Sequence, residues 1–141
     1  MKSLQRHLTI ILATSVFLMW FGSAFADADW YLFDILEKPS YLKSWETLFS
    51  DEKNVDSWLL GYATTKNGPS SPKGTVQIGN TAYQLGDVCE AHNCGGNNFR
   101  VLFAPDGAKA WGLQVKDGNN ERFFGKPDDE IKNALRSDAQ R

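Results

Sequence analysis

Cys89-Glu90-Ala91-His92-Asn93-Cys94 brings both cysteines of the chain around one of its two histidines. Oxidised, the cysteines close a short loop at its neck and His92 rides on a stiff turn, as a bystander or as a group offered to a partner. Reduced, Cys-x2-His-x-Cys gives three ligands of a tetrahedral metal site with no fourth to complete it, because His7 belongs to a segment read below as removed. A hydrolase using His92 as general base needs a nucleophile. The sequence has no Gly-x-Ser-x-Gly stretch, and a closed cysteine pair leaves no thiol to attack. Nor is the spacing the Cys-x-x-Cys of thiol oxidoreductases. The motif therefore predicts a binding protein rather than an enzyme, without cofactor or metal. Gly95-Gly96 is placed to let the chain leave the neck at unusual backbone angles. The stretch alone does not choose between staple and recognition loop.

The state of the cysteines follows from the compartment. Lys2 and Arg6 precede an apolar run from Leu8 to Phe21, and Ala24-Phe25-Ala26 is a small-x-small cleavage site. Residues 1–26 are read as a signal peptide, and the run is short of the about 20 apolar residues a spanning helix needs. No cysteine lies at the cleavage point to carry a lipid. The expected product, 27–141, is one soluble exported domain, free of the membrane, with Cys89 and Cys94 paired by an oxidising environment. All 17 acidic residues follow Ala26 and two of the 15 basic ones precede it, so its formal charge is 13 minus 17, or −4. That excludes a nucleic-acid partner and suits a basic protein.

The loop must be held by whatever precedes and follows it. Trp30, Phe33 and Leu36 have helical spacing, with Asp29 as N-cap and Lys38-Pro39 as stop. Ser40 is placed to cap a second helix with the stripe Tyr41, Leu42, Trp45, Leu48 and Phe49. Trp58-Leu59-Leu60 returns to the core after a polar stretch, and 64–74 reads as an exposed loop. From Thr75 the apolar period becomes two: Val76 and Ile78, the turn Gly79-Asn80, then Tyr83 and Leu85 running into Cys89. Phe99, Val101 and Phe103, then Trp111, Leu113 and Val115, then Arg122-Phe123-Phe124 continue it, with turns at Pro105-Asp106-Gly107 and Asp117 to Asn120. Asp128-Asp129-Glu130 opens a last helix with Ile131, Ala134 and Leu135 on one face. The predicted fold is α+β: an antiparallel five-stranded meander with helices on both faces, a three-layer α/β/α arrangement.

The export signal, the hairpin from Gly74 to Leu85, and Cys-x2-His-x-Cys-Gly followed by two further strands resemble the Ivy family, periplasmic inhibitors of vertebrate c-type lysozyme. The likeness runs from about Trp58 to the last helix and is closest between Gly74 and Val115. It implies a periplasmic location and c-type lysozyme as partner, with monomer and homodimer both open. It further implies that a Cys89–Cys94 disulfide pins the loop, that Gly95 is its exit, and that His92 enters the substrate cleft against the catalytic carboxylates. The best-known family loop has Lys-Pro after the first cysteine and Asp after the histidine. Glu90, Ala91 and Asn93 stand there in this chain, which implies a loop without proline's stiffness and a Glu90 facing acids of the cleft or a base on its rim. The cell's own lytic transglycosylases, with one catalytic acid within reach of His92, form the alternative target.

Overall fold

The computed structural model describes residues 29–137, so the signal peptide read over 1–26 lies outside the described residues. Five strands form: β1 (Thr75–Ile78), β2 (Thr81–Cys89), β3 (Asn97–Phe103), β4 (Ala110–Lys116) and β5 (Asn120–Phe124). They pair in the order β1-β2-β3-β4-β5, each antiparallel to the next, the expected meander. Tight turns make this order the natural one. Ile78 pairs with Thr81, and Gly79 takes φ 59°, as the first central position of a type II′ hairpin demands.

Period two divides the sheet into two faces. Phe99, Val101 and Phe103 of β3 join Ala110 and Phe124 in a core closed by α1 (Leu32–Ile35), α2 (Pro39–Phe49) and α3 (Ser57–Thr65). Its centre is aromatic, with Trp45 meeting Phe99 edge-on at 5.5 Å and Phe49 meeting Phe124 at 5.4 Å. Gly112 makes room for this cluster, since a Cβ there would run into the Phe99 ring. Leu85, Leu102 and Leu113 point the other way and pack with Ile131, Ala134 and Leu135 of α4 (Asp129–Ser137). The Asp128 carboxylate caps α4 by accepting from the Ile131 amide at 2.9 Å.

The helices before the sheet depart from the sequence reading. Trp30 is not on a helix: it exchanges two 2.9 Å backbone hydrogen bonds with Lys73. That bridge holds the chain extended, leaves Trp30 39% exposed, and starts α1 only at Leu32. The buried set is therefore Leu32, Ile35 and Leu36, not Trp30, Phe33 and Leu36. Asp29 caps nothing here. Ser70 Oγ accepts from the Leu32 amide instead. Pro39 opens α2, where its missing N–H costs nothing, so Ser40 lies inside that helix rather than capping it. α3 was not anticipated, because Gly61, Thr64 and Thr65 dilute its helical signal. The fully buried Leu59 and Tyr62, three apart, draw it into a helix, which leaves Leu60 outside the core at 53% exposure. No helix among the described residues is long and apolar enough to cross a membrane.

Candidate functional site

Cys89 ends β2 and pairs in register with Asn98 of β3, so the loop of interest projects from one end of the sheet. The Cys89–Cys94 disulfide is formed, with Cα atoms 4.8 Å apart. Both sulfurs are engaged, which leaves no thiolate for a Cys-x2-His-x-Cys metal site. Inside the ring, the Asn93 amide donates to the Glu90 carbonyl at 3.0 Å, closing a four-residue turn with His92 in its third position at φ 65°. A positive φ at that position is the mark of a type II turn, usually reserved for Gly or Asn. A non-glycine residue there costs about 1–2 kcal/mol, so the surroundings must impose it. A second turn follows, in which the Gly96 and Asn97 amides donate to the Asn93 carbonyl at 3.0 and 2.9 Å.

The unusual backbone angle thus falls on His92 itself. Neither Gly95 nor Gly96 takes a positive φ. Gly96 is required for another reason: a Cβ would strike the Asn93 carboxamide. His92, Asn93, Cys94 and Gly95 are exposed, while Glu90 and Ala91 are half-buried. The imidazole makes no hydrogen bond or ion pair with any described residue.

Glu90 turns inward. Its Oε2 accepts from Asn93 Nδ2 at 2.8 Å and from Asn97 Nδ2 at 3.3 Å, and its amide donates to the Asn97 carbonyl at 3.0 Å. The stiffness a proline would have given is replaced by this side-chain clasp. Flanking chain holds the neck from both sides, with the Cys89 amide donating to Pro69 O at 2.9 Å and the Asp117 amide to Gly96 O at 2.8 Å. Gly68 lies so close that a Cβ would sit 2.5 Å from the Cys89 carbonyl oxygen.

Beneath the neck is a polar cluster that the sequence reading missed. Asp56 Oδ2 accepts from Asn97 Nδ2 and Gln114 Nε2, each at 2.8 Å, and its Oδ1 accepts from Lys116 Nζ at 2.7 Å. Gln114 Nε2 also donates to Asn97 Oδ1 at 2.9 Å. Asn97 and Gln114 are 6% and 2% exposed, so these contacts satisfy polar groups that water does not reach. Burial pushes the Asp56 carboxyl up, but the hydrogen bonds from Lys116, Asn97 and Gln114, with the Lys116 charge, outweigh it and hold the group down at about 2. A sequence signal existed: Asn97 has the parity of Phe99 and Val101, and Gln114 that of Ala110 and Gly112. Polar residues there are buried and must be bonded.

A groove of about 730 Å³ lies between α2 and the turns around 107–110 and 125–126, at the other end of the sheet from the loop. A hollow of about 430 Å³ at the loop's base is lined by Pro69, Asp87, Cys89 and Cys94 among others. The loop itself projects at the end of the sheet beside this hollow.

A family model described as Inhibitor of vertebrate lysozyme (Ivy) matches residues 41–139. The inhibitor of vertebrate lysozyme of Pseudomonas aeruginosa is 33% identical over 115 residues, covering 82% of this chain and 71% of that protein. An uncharacterized protein of the same organism is 28% identical over 107 residues, covering 67% of this chain and 66% of that protein.

Proposed function

The chain belongs to the Ivy family, and from that premise we propose that it inhibits c-type lysozyme by inserting the disulfide-closed loop Cys89–Cys94, His92 foremost, into the enzyme's substrate cleft. The observation that supports this most is His92 itself: an exposed imidazole held at φ 65° on a loop closed by both a disulfide and a side-chain clasp. A loop already in one shape loses little entropy on docking. Lysozyme's cleft sets a protonated acid beside an ionised carboxylate. A neutral imidazole can accept from one and donate to the other, and an imidazolium can donate to both. The protein then acts by occupying the site, as a binding protein and not as an enzyme.

In this reading residues 27–141 form a single domain that is released by cleavage after Ala26 and shields peptidoglycan from lysozyme in the periplasm. Titrating purified 27–141 against hen egg-white lysozyme in a cell-wall lysis assay should abolish activity near one equivalent. Undiminished lysis at tenfold excess would overturn the proposal.

A further inference from the structure

We propose that Asp56 is a positioning residue for the inhibitory loop: acting through the Asn97 carboxamide, its carboxylate fixes the Glu90 side chain and with it the direction in which His92 projects. The inference rests on the inhibitor reading above and adds to it a residue far from the loop in sequence.

Asp56 is the N-cap residue of α3, yet its side chain makes no cap hydrogen bond. An aspartate in that place ordinarily bonds an amide of its own first helical turn. Here it accepts from the Trp58 indole N–H at 3.3 Å and reaches across to the sheet, 41 residues away, to Asn97 at 2.8 Å. The departure from local preference has a consequence. Asn97 Nδ2 has two hydrogens, one directed at Asp56 and the other at Glu90. Asn97 Oδ1 meanwhile accepts from Gln114, whose own second hydrogen also goes to Asp56. Flipping either carboxamide would turn an oxygen toward carboxylates, so the network has one arrangement.

That arrangement is anchored below and open above. Asn97 and Lys116 are paired residues of β3 and β4, and Lys116 holds Asp56 from the far side. Upward, the chain runs from Asn97 to Glu90 and from Glu90 to the Asn93 side chain, the residue after His92. An asparagine at position 56 cannot replace the carboxylate, because it must aim an N–H at Lys116 or at the two amides.

The test is Asp56→Asn, alone and combined with His92→Ala, read as binding to hen egg-white lysozyme. The single change should weaken binding about tenfold, and in the His92→Ala chain it should matter less than twofold. Equal penalties in both backgrounds would overturn the proposal, since a general loss of stability is additive. A second readout needs no lysozyme. Amide exchange at Asn93, Gly96 and Asn97 should speed up at least tenfold in Asp56→Asn while Phe99 and Val101 keep their protection. Unchanged loop exchange overturns the proposal. If Asp56→Asn does not fold, Glu90→Ala cuts the same path at its outer end and must give the same exchange pattern. Should the parent protein fail to bind lysozyme, the inhibitor reading falls, and the exchange result still decides the role of Asp56.

Discussion

Glu90 and Asn93 clasp each other across Ala91 and His92, carboxamide to carboxylate at 2.8 Å. Both positions differ from the best-known family loop, and in this chain they bond to each other. Glu90→Ala and Asn93→Ala should each weaken lysozyme inhibition by about 1 kcal/mol, roughly fivefold. Because one contact is removed either way, the double variant should be little worse than the worse single one. Additive losses in a double-mutant cycle would show that the clasp is not the shared cause.

The disulfide should act on binding more than on folding. By the chain-entropy relation a ring of about six residues contributes only about 2 kcal/mol, and the sheet is held by two cores independent of it. Cys89→Ser with Cys94→Ser should therefore lower the urea midpoint modestly, keep the circular dichroism of the parent, and lose inhibition by a larger factor. A double variant that inhibits as well as the parent would show that the hydrogen bonds alone set the loop.

The sheet and the loop were legible because their signals are local: alternation from Val76 to Phe123, turn residues between strands, two cysteines bracketing a histidine. The α1 stripe failed because a bridge to Lys73, distant in sequence, draws Trp30 into an extended conformation. α3 failed because tertiary burial of Leu59 and Tyr62 overrides weak propensity. The cluster under the loop draws Asp56, Asn97, Gln114 and Lys116 from two strands and a helix cap. Only strand parity hinted at it, through polar residues where Phe99 and Ala110 mark the buried side.

Asp56 gives the protein an acid-sensitive contribution. Its carboxyl sits at about 2 in the fold against 3.8 when unperturbed, so the native state binds fewer protons between those values. The stabilisation is fully present above about 3.8 and is lost as pH falls through about 2. With the side chain 24% exposed, solvent screening leaves about 1–2 kcal/mol of it. In urea unfolding, the stability gap between parent and Asp56→Asn should be largest above about pH 5 and should shrink toward pH 2. A gap that does not vary with pH would assign it to packing rather than to charge.

Association should depend on salt. The chain after Ala26 has a formal charge of 13 minus 17, or −4, and a basic lysozyme would be steered toward it. Stopped-flow association should slow several-fold between about 10 and 150 mM salt, while dissociation changes little. A flat association rate would remove steering from the account.

His92 should carry the inhibition. In a cleft its imidazole would be desolvated on all sides and bonded to charged groups, where truncation costs about 2–4 kcal/mol, or roughly 30- to 1,000-fold in affinity. His92→Ala should lose that much without loss of fold, since His92 is exposed on the loop and outside both hydrophobic cores. His92→Gly separates backbone from side chain. Glycine takes φ 65° without strain, so this variant keeps or improves the turn while removing the ring. If Gly and Ala are equally poor inhibitors, the ring is what binds. If Gly recovers potency over Ala, the turn matters in its own right. His92→Gln supplies the chemical control, keeping a donor and an acceptor without the ring. Potency retained by Gln near neutral pH would show that hydrogen bonding suffices, and failure as complete as that of Ala would require the imidazole's shape or charge. Unchanged inhibition by His92→Ala, with unchanged circular dichroism, would refute the plug mechanism even for a protein that still inhibits lysozyme.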